Sequence, residues 1–172
     1  MNIDIINKTN FQEEEFNIFV KNFDIILDIF CKDWDIEKPI INYVPKIWPS
    51  FQEIKITVFE SNNESAFHGI RKNIPYGMVY SKQDFSKQLS HEIFEILINP
   101  HMKKTFEYKN EIFKKEVCDP VTQNTVYVNK SKMSDWVLPS WFELESKGPY
   151  NHLNTLKGPF QADLGGYVEK MT

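Results

Sequence analysis

The chain has 172 residues, 41% hydrophobic and 15% aromatic, which is enough apolar material to bury a core within one domain spanning 1–172. The net charge is −4 and basic residues cluster only in pairs, so nucleic acid is not expected as a partner, because phosphate binding needs concentrated positive charge. The first residues lack the basic start and apolar run of a signal peptide, so export is not expected. No apolar stretch approaches the ~18 residues that span a bilayer, so a membrane partner is not expected either.

The first half of the chain predicts a strand followed by a long helix. Residues 2–7 alternate weakly, which predicts the strand, and Asn10 with Glu13 predicts the cap of the helix. Apolar residues at helical spacing form a face that we interpret as core packing: Phe16, Phe19, Val20, Phe23, Ile26, Leu27 and Phe30. The other elements predicted in this half are an edge strand, an alternating strand and a loop, at 40–44, 53–60 and 61–65.

A second helix is predicted directly after a short strand at 74–80. Ser81 and Asp84 have the spacing of a capping box, and the helix is expected to end near Asn99 because the residue before a proline is disfavoured in helical conformation. Between these points the apolar residues form a stripe that predicts a buried face: Phe85, Leu89, Ile93, Ile96 and Leu97.

His91, Glu92 and Glu95 form the pattern HExxE beside this stripe, where a side chain can line a cleft. Residues four apart share one helix face, so His91 and Glu95 can bind the same cation. In the common zinc-protease helix the second ligand is His, and the Glu after the first His is the general base. Zinc also accepts carboxylate oxygen. The pattern therefore predicts His91 and Glu95 as zinc ligands and Glu92 as the catalytic base.

The third ligand is predicted from the segment that follows. We rank Glu116 first, as a ligand on a later element, with Asp119 as the hydrogen-bonding partner of the ligating His or as the second-ranked ligand. This ranking supposes that 113–118 is helical; if the segment is extended, Cys118 becomes an alternative ligand. His101 ranks third, because its distance from His91 is that of the metzincin pattern without the glycine that pattern requires.

The remaining polar candidates have weaker signals. Tyr127, Tyr150 and His152 are candidates for stabilising a tetrahedral oxyanion, although His152 is expected in a surface loop. His68 precedes a glycine and is interpreted as a turn or surface residue rather than a ligand. Residues 125–128 and 133–138 predict a hairpin, and 145–172 predict a loop-rich tail that covers the site or contacts a partner.

Several of these motifs, in this order, resemble a family of small metallopeptidase-like proteins of tailed bacteriophages. The resemblance rests first on three strings: LSHEIFEILINP at 89–100, EVCDPV at 116–121 and SDWVLPSWF at 134–142. It continues in three shorter strings: GPYNHL at 148–153, GPF at 158–160 and GGY at 165–167. The family often has Asp at the position of Asn99. A ligand role for that Asp would imply weak or absent metal binding in this chain.

The resemblance implies a zincin-like α+β domain, with a small mixed sheet packed against the long N-terminal helix and the HExxE helix. It implies a phage-encoded zinc peptidase in the host cytoplasm or the virion, acting on a protein or peptide laid along the strand before the active helix, at Gly77, Met78, Val79 and Tyr80. With two carboxylate ligands, a zinc-held water is less acidic than in a two-His site. The alternative is a non-catalytic virion or assembly protein on the same scaffold, which binds other phage structural proteins.

Overall fold

The structure is a computed structural model that describes residues 1–45, 54–82 and 84–171. Positions 53 and 172, predicted as the ends of a strand and of the tail, lie outside the described residues. Within the described part the fold is mixed α+β. Its elements are β1 Asn2–Lys8, α1 Glu13–Trp34, β2 Ile40–Val44, β3 Ile54–Glu60, β4 Ser65–Arg71, β5 Ile74–Ser81, α2 Ser86–Ile98, β6 Thr105–Tyr108, β7 Glu111–Lys114, β8 Thr125–Val128 and β9 Ser131–Ser134, with short 3-10 turns at Asp119–Val121 and Pro139–Phe142.

The main sheet has five strands in the order β2-β1-β3-β5-β4. The β1–β2, β1–β3 and β3–β5 pairs are parallel, and β4 runs antiparallel to β5. The prediction that 40–44 forms an edge strand is confirmed. The other edge is β4, which the sequence did not predict as a strand. The β4–β5 hairpin closes through Lys72 and Asn73, both in the left-handed region, as a tight two-residue turn requires.

Helix α1 packs its predicted aromatic face into the core. Phe16, Phe19, Phe23 and Phe30 are all buried. The predicted cap is wrong by two residues, because the backbone N–H of Gln12 donates to the Glu15 carboxylate at 2.8 Å. The side chain of Asn10 donates instead to Glu60, at the end of β3.

Helix α2 ends before Asn99, as predicted, and its apolar stripe is buried against the sheet and α1. The predicted cap at Ser81 is wrong, since Ser81 still belongs to β5. Asp84 provides the side-chain hydrogen bonds at the start of α2 instead. Its carboxylate accepts from the backbone N–H and from the hydroxyl of Ser86. On its other side α2 is tied to β9, where the backbone N–H of Ser134 donates to the Ser90 hydroxyl at 2.8 Å.

Two small hairpins and an irregular tail complete the described chain. β6 pairs with β7 and β8 pairs with β9. The β8–β9 turn contains only Asn129 and Lys130 at positive φ, so the second strand lies earlier than the predicted 133–138. From residue 145 to 171 the described chain has no helix or strand, as the prediction of a loop-rich tail requires. Among the described residues, no helix combines the length and apolar character needed to cross a membrane.

Candidate metal centre

The polar side of α2 opens into a cavity of about 410 Å³. Its walls carry six ionisable side chains in close proximity: His68, His91, Glu92, Glu95, Glu116 and Asp119. All four carboxyl groups are buried. Burying a carboxylate is costly unless a cation or a hydrogen-bond donor compensates it, so the partners of these four groups define the chemistry of the cavity.

His91, Glu95 and Asp119 form the first cluster. The Nε2 atom of His91 lies 3.2 Å from Oε1 of Glu95 and 3.4 Å from Oδ1 of Asp119. α2 sets the first pair through the spacing of four residues, and the 3-10 turn at Asp119–Val121 brings in the third member. The structure thus places Asp119, the second-ranked candidate, beside His91. Glu116, the first-ranked candidate, faces His68 instead.

Cys118 also lies within this cluster. Its backbone N–H donates to Oε1 of Glu95 at 3.2 Å, and ligand atoms of His91, Glu95 and Cys118 all lie within 4.8 Å of one another. Burial, with the charge of Glu95 added, raises the pKa of the Cys118 thiol well above its usual value. The thiolate that a metal requires is therefore disfavoured, which makes Cys118 the weaker ligand beside Asp119.

His68 forms a second cluster on the opposite side of Glu95. Its Nδ1 atom lies 2.9 Å from Oε2 of Glu92 and 3.5 Å from Oε2 of Glu95, and its Nε2 atom lies 3.7 Å from Oε2 of Glu116. Only 6% of the His68 side chain is exposed. The prediction that His68 is a turn or surface residue is therefore wrong, because β4 turns this side chain inward over α2.

The two histidines and Glu116 have strongly shifted pKa values. Burial alone would lower the pKa of His68, but the hydrogen bond to Glu92 and the charges of Glu95 and Glu116 outweigh it and raise the pKa to about 9. Burial likewise opposes the charge of His91, yet Glu95 and Asp119 raise its pKa well above the ordinary value. Burial and the nearby charge of Glu95 raise the pKa of Glu116 to about 8. Without a metal, protons bound by the two histidines and by Glu116 therefore offset the negative charge of the buried carboxylates.

Tyr167 reaches the cavity from the tail. Its hydroxyl hydrogen-bonds the Asp119 carboxylate, and its backbone N–H donates to the Asp119 carbonyl at 3.1 Å. Burial, followed by the charge of Asp119, raises the pKa of Tyr167, so the phenol stays protonated. The preceding Gly166 makes this approach possible, since a Cβ there would lie 2.1 Å from the Pro120 carbonyl oxygen.

Four other predicted residues lie away from the described cavity wall. His101 is exposed in the turn after α2, and Tyr127 is 66% exposed on β8. His152 stacks on Trp136 with ring centroids 4.2 Å apart. The hydroxyl of Tyr150 donates to the Ser146 carbonyl. None of these four can act on a group bound between His91 and Glu92.

The strand that was predicted to bind the substrate lies inside the sheet and not at its edge. Gly77, Met78, Val79 and Tyr80 lie on β5, which is hydrogen-bonded on both sides, to β3 and to β4. A peptide cannot add to a strand whose two edges are already paired. The exposed edge beside the cavity belongs to β4, where Ala66, Phe67 and His68 line the wall.

Asn99 has a structural role. Its side-chain oxygen accepts from the Lys104 backbone N–H at 2.8 Å, and its amide donates to the carbonyls of Lys104 and Lys115. It thereby ties the end of α2 to the strands that follow, and it is not among the described residues of the cavity wall. Position 99 therefore contributes no group to the first cluster.

His68 and Tyr167 are the two site residues that the sequence did not indicate. For His68 the only local signal is the alternation Ala66, His68, Ile70 after the polar loop, and for Tyr167 it is the GGY motif, in which a glycine pair frees the backbone to approach another segment. Comparison of the chain with family models, curated proteins and solved structures finds no match in any of the three.

Proposed function

We propose that the protein is a zinc-dependent peptidase of the zincin-like kind, with His91, Glu95 and Asp119 as metal ligands. The observation that carries the proposal is the convergence of both carboxylates on Nε2 of His91, at 3.2 and 3.4 Å. A tetrahedral ion with bonds of about 2.0–2.2 Å separates its ligand atoms by roughly 3.3–3.6 Å. Each carboxylate therefore lies at about the distance from Nε2 of His91 that separates two ligands of one zinc ion. Asp119 replaces Glu116, the ligand ranked first from the sequence.

Glu92 is the proposed general base. It is buried at the cavity wall, next to His91 on the same helix, and His68 holds its Oε2 atom at 2.9 Å, so that Oε1 is left to accept a proton. When bound, zinc would supply a Lewis acid that makes water easier to deprotonate near pH 7. Glu92 would take that proton during attack on a peptide carbonyl and pass it to the leaving amine. The protonated hydroxyl of Tyr167, at the cavity wall, faces Asp119 and holds this proposed ligand in place.

The proposed substrate is an extended peptide that adds to the free edge of β4. This strand borders the cavity, and Ala66 and Phe67 line it. Main-chain hydrogen bonds to an edge strand bind peptide of almost any sequence, with side-chain pockets adding specificity. The motif resemblance to phage metallopeptidase-like proteins supports a protein substrate among phage structural proteins, with action in the host cytoplasm or the virion.

The Glu92→Gln substitution tests the mechanism. We expect the variant to keep its zinc, since Glu92 is not a ligand in the proposed set, and to lose about 10²–10⁴-fold in cleavage rate, because only the proton acceptor is removed. The measurement combines elemental analysis of the full chain with mass spectrometry of a peptide library incubated with zinc-loaded protein. Glu145→Gln, the same chemical change at an exposed position, is the matched control and should cleave at the wild-type rate.

Four results would contradict parts of the proposal. Wild-type protein that binds no zinc contradicts the metal site, and so does zinc that persists in Glu95→Ala. Unchanged cleavage by Glu92→Gln contradicts the assigned base. Wild-type protein that holds zinc and cleaves none of the peptides contradicts the peptidase.

One observation favours a second function, a non-catalytic assembly protein on a zincin-like scaffold. Glu92 is already engaged by His68 at 2.9 Å, and an ion pair there weakens a carboxylate as a base. In this case the metal is structural and the protein works by binding other phage structural proteins. A copurifying capsid or tail protein, together with bound zinc and no cleavage, would support this alternative.

A further inference from the structure

The cavity contains a second set of donor atoms that the proposed zinc site does not use. This second set consists of Nε2 of His68, on β4, and Oε2 of Glu116, in the segment after β7. Glu95 lies beside both sets. Its Oε1 atom is 3.2 Å from Nε2 of His91, and its Oε2 atom is 3.5 Å from Nδ1 of His68, on the other side of the ring from the second set.

Two buried atoms of the second set have no hydrogen-bond partner within the described part of the chain. They are Nε2 of His68 and Oε2 of Glu116. Their side chains are only 6% and 5% exposed. A buried polar atom without a partner destabilises the folded protein. Two such atoms facing each other therefore indicate a shared ligand.

The spacing of these atoms identifies the kind of ligand. Nε2 of His68 and Oε2 of Glu116 are 3.7 Å apart, which is beyond a normal N–H···O hydrogen bond. Ligand atoms on one divalent cation with bonds of about 2.0–2.2 Å lie roughly 3.3–3.6 Å apart when the ion is tetrahedral. A shift of a few tenths of an ångström would bring both atoms onto one ion.

Glu92 orients His68 as a carboxylate orients a metal-binding histidine. Its Oε2 atom lies 2.9 Å from Nδ1 of His68, which donates to it, and Nε2 faces Glu116. A cation that displaces the proton of Nε2 would bind the lone pair of that atom. Metal-ligating histidines almost always donate their other ring N–H in this way, which fixes the tautomer and the ring plane.

We propose that a second divalent cation binds between Nε2 of His68 and Oε2 of Glu116, so that the cavity holds two cations. The proposal rests on the proposed function, because it adds a cation to the cavity of the proposed zinc site. Glu92, whose Oε2 atom holds Nδ1 of His68, positions this histidine in addition to serving as the proposed base.

The test counts ions in the full-length protein. The chain is stripped with a chelator, reloaded with Zn²⁺ or Mn²⁺, desalted and assayed for metal per chain. We expect about two ions in the wild type, about one in His68→Ala and in Glu116→Gln, and about two in His101→Ala, which removes an exposed histidine.

The outcomes separate the second ion from the first. One ion per wild-type chain, lost in His91→Ala and kept in His68→Ala, overturns the second site and leaves the proposed function intact. No ion in the wild type overturns both. The wild-type count decides the matter even when a variant fails to fold, because a single ion per wild-type chain contradicts the second site.

Discussion

Gly166 is the residue that lets the tail close over the candidate site. A Cβ at this position would lie 2.1 Å from the Pro120 carbonyl oxygen and 3.1 Å from that of Asp119. These are backbone atoms, which cannot rotate away as a side chain can. The next residue, Tyr167, hydrogen-bonds Asp119 through both its backbone and its hydroxyl, so the position of a proposed ligand depends on this close approach.

We therefore expect Gly166→Ala to destabilise the protein and to weaken metal binding. Overpacking of this kind costs about 1–3 kcal/mol in the free energy of unfolding, and displacement of Tyr167 should lower zinc affinity as well. Urea unfolding of the metal-free protein and a zinc titration measure the two effects. Gly158→Ala is the matched control in the same tail. Its Cβ would meet the flexible end of the Gln161 side chain, so its cost should stay within about 0.5 kcal/mol.

Equal stability of Gly166→Ala and Gly158→Ala would show that the tail does not press against the 3-10 turn at Asp119–Val121. If a destabilised Gly166→Ala variant kept its zinc affinity, Tyr167 would have no effect on metal binding.

The sequence could predict only the part of the site that a single helix determines. His91, Glu92 and Glu95 follow from helical spacing alone. Asp119 and Glu116 were recognised as candidates, but their order depended on the backbone between β7 and the 3-10 turn, which is neither helical nor regularly extended. His68 depends on a strand pairing and on how the sheet packs against α2. No local pattern determines such contacts.

At the level of elements, α2 is held in place by aromatic rings. Phe94 stacks on Phe30 of α1 with centroids 4.2 Å apart and meets Trp136 edge to face at 5.1 Å. All three side chains are fully buried. Phe94 directly precedes Glu95, so this packing fixes the helix face that carries the donor atoms.

Phe94→Ala should therefore cost about 3–5 kcal/mol of unfolding free energy, because the cavity left by the ring cannot collapse between two stacked neighbours. Phe94→Leu, which keeps much of the volume, should cost less than half of that. Ile25→Ala on α1 is the control, since its side chain is 46% exposed, and it should cost well under 1 kcal/mol. Denaturant midpoints measure all three. A Phe94→Ala cost near that of Ile25→Ala would mean that the rings do not position α2.

The helices and the parallel strands were predictable because their apolar patterns are long. Helix α1 carries its stripe from Phe16 to Phe30, over about four turns, and β3 alternates in the expected sense. Strand order was not predictable, and this produced the wrong substrate strand. β4 is half polar and joined to β5 by a two-residue turn, and it occupies the sheet edge that was expected for β5.

The charge balance of the cavity makes the stability of the whole metal-free molecule depend on pH. The pKa of His68 is raised from 6.5 to about 9, so its stabilising contribution is complete below pH 6.5 and is lost as the pH rises through 9. The pKa of Glu116 is raised from 4.5 to about 8, so the unfolded chain ionises first and stability falls as the pH rises between these values. Both groups act in the same direction.

We expect the midpoint of thermal unfolding of the chelator-treated protein to fall steadily between about pH 5 and pH 9. The lowered pKa values of Asp84 and Asp163 act in the opposite sense, but only as the pH falls through their own acidic range, so they leave this window unaffected. In His68→Ala the fall above pH 6.5 should become shallower. Zinc-loaded protein should gain most from the metal at the alkaline end, because bound metal replaces the protons held by the histidines and Glu116. A metal-free protein that is more stable at pH 9 than at pH 6 would contradict a proton-balanced cavity.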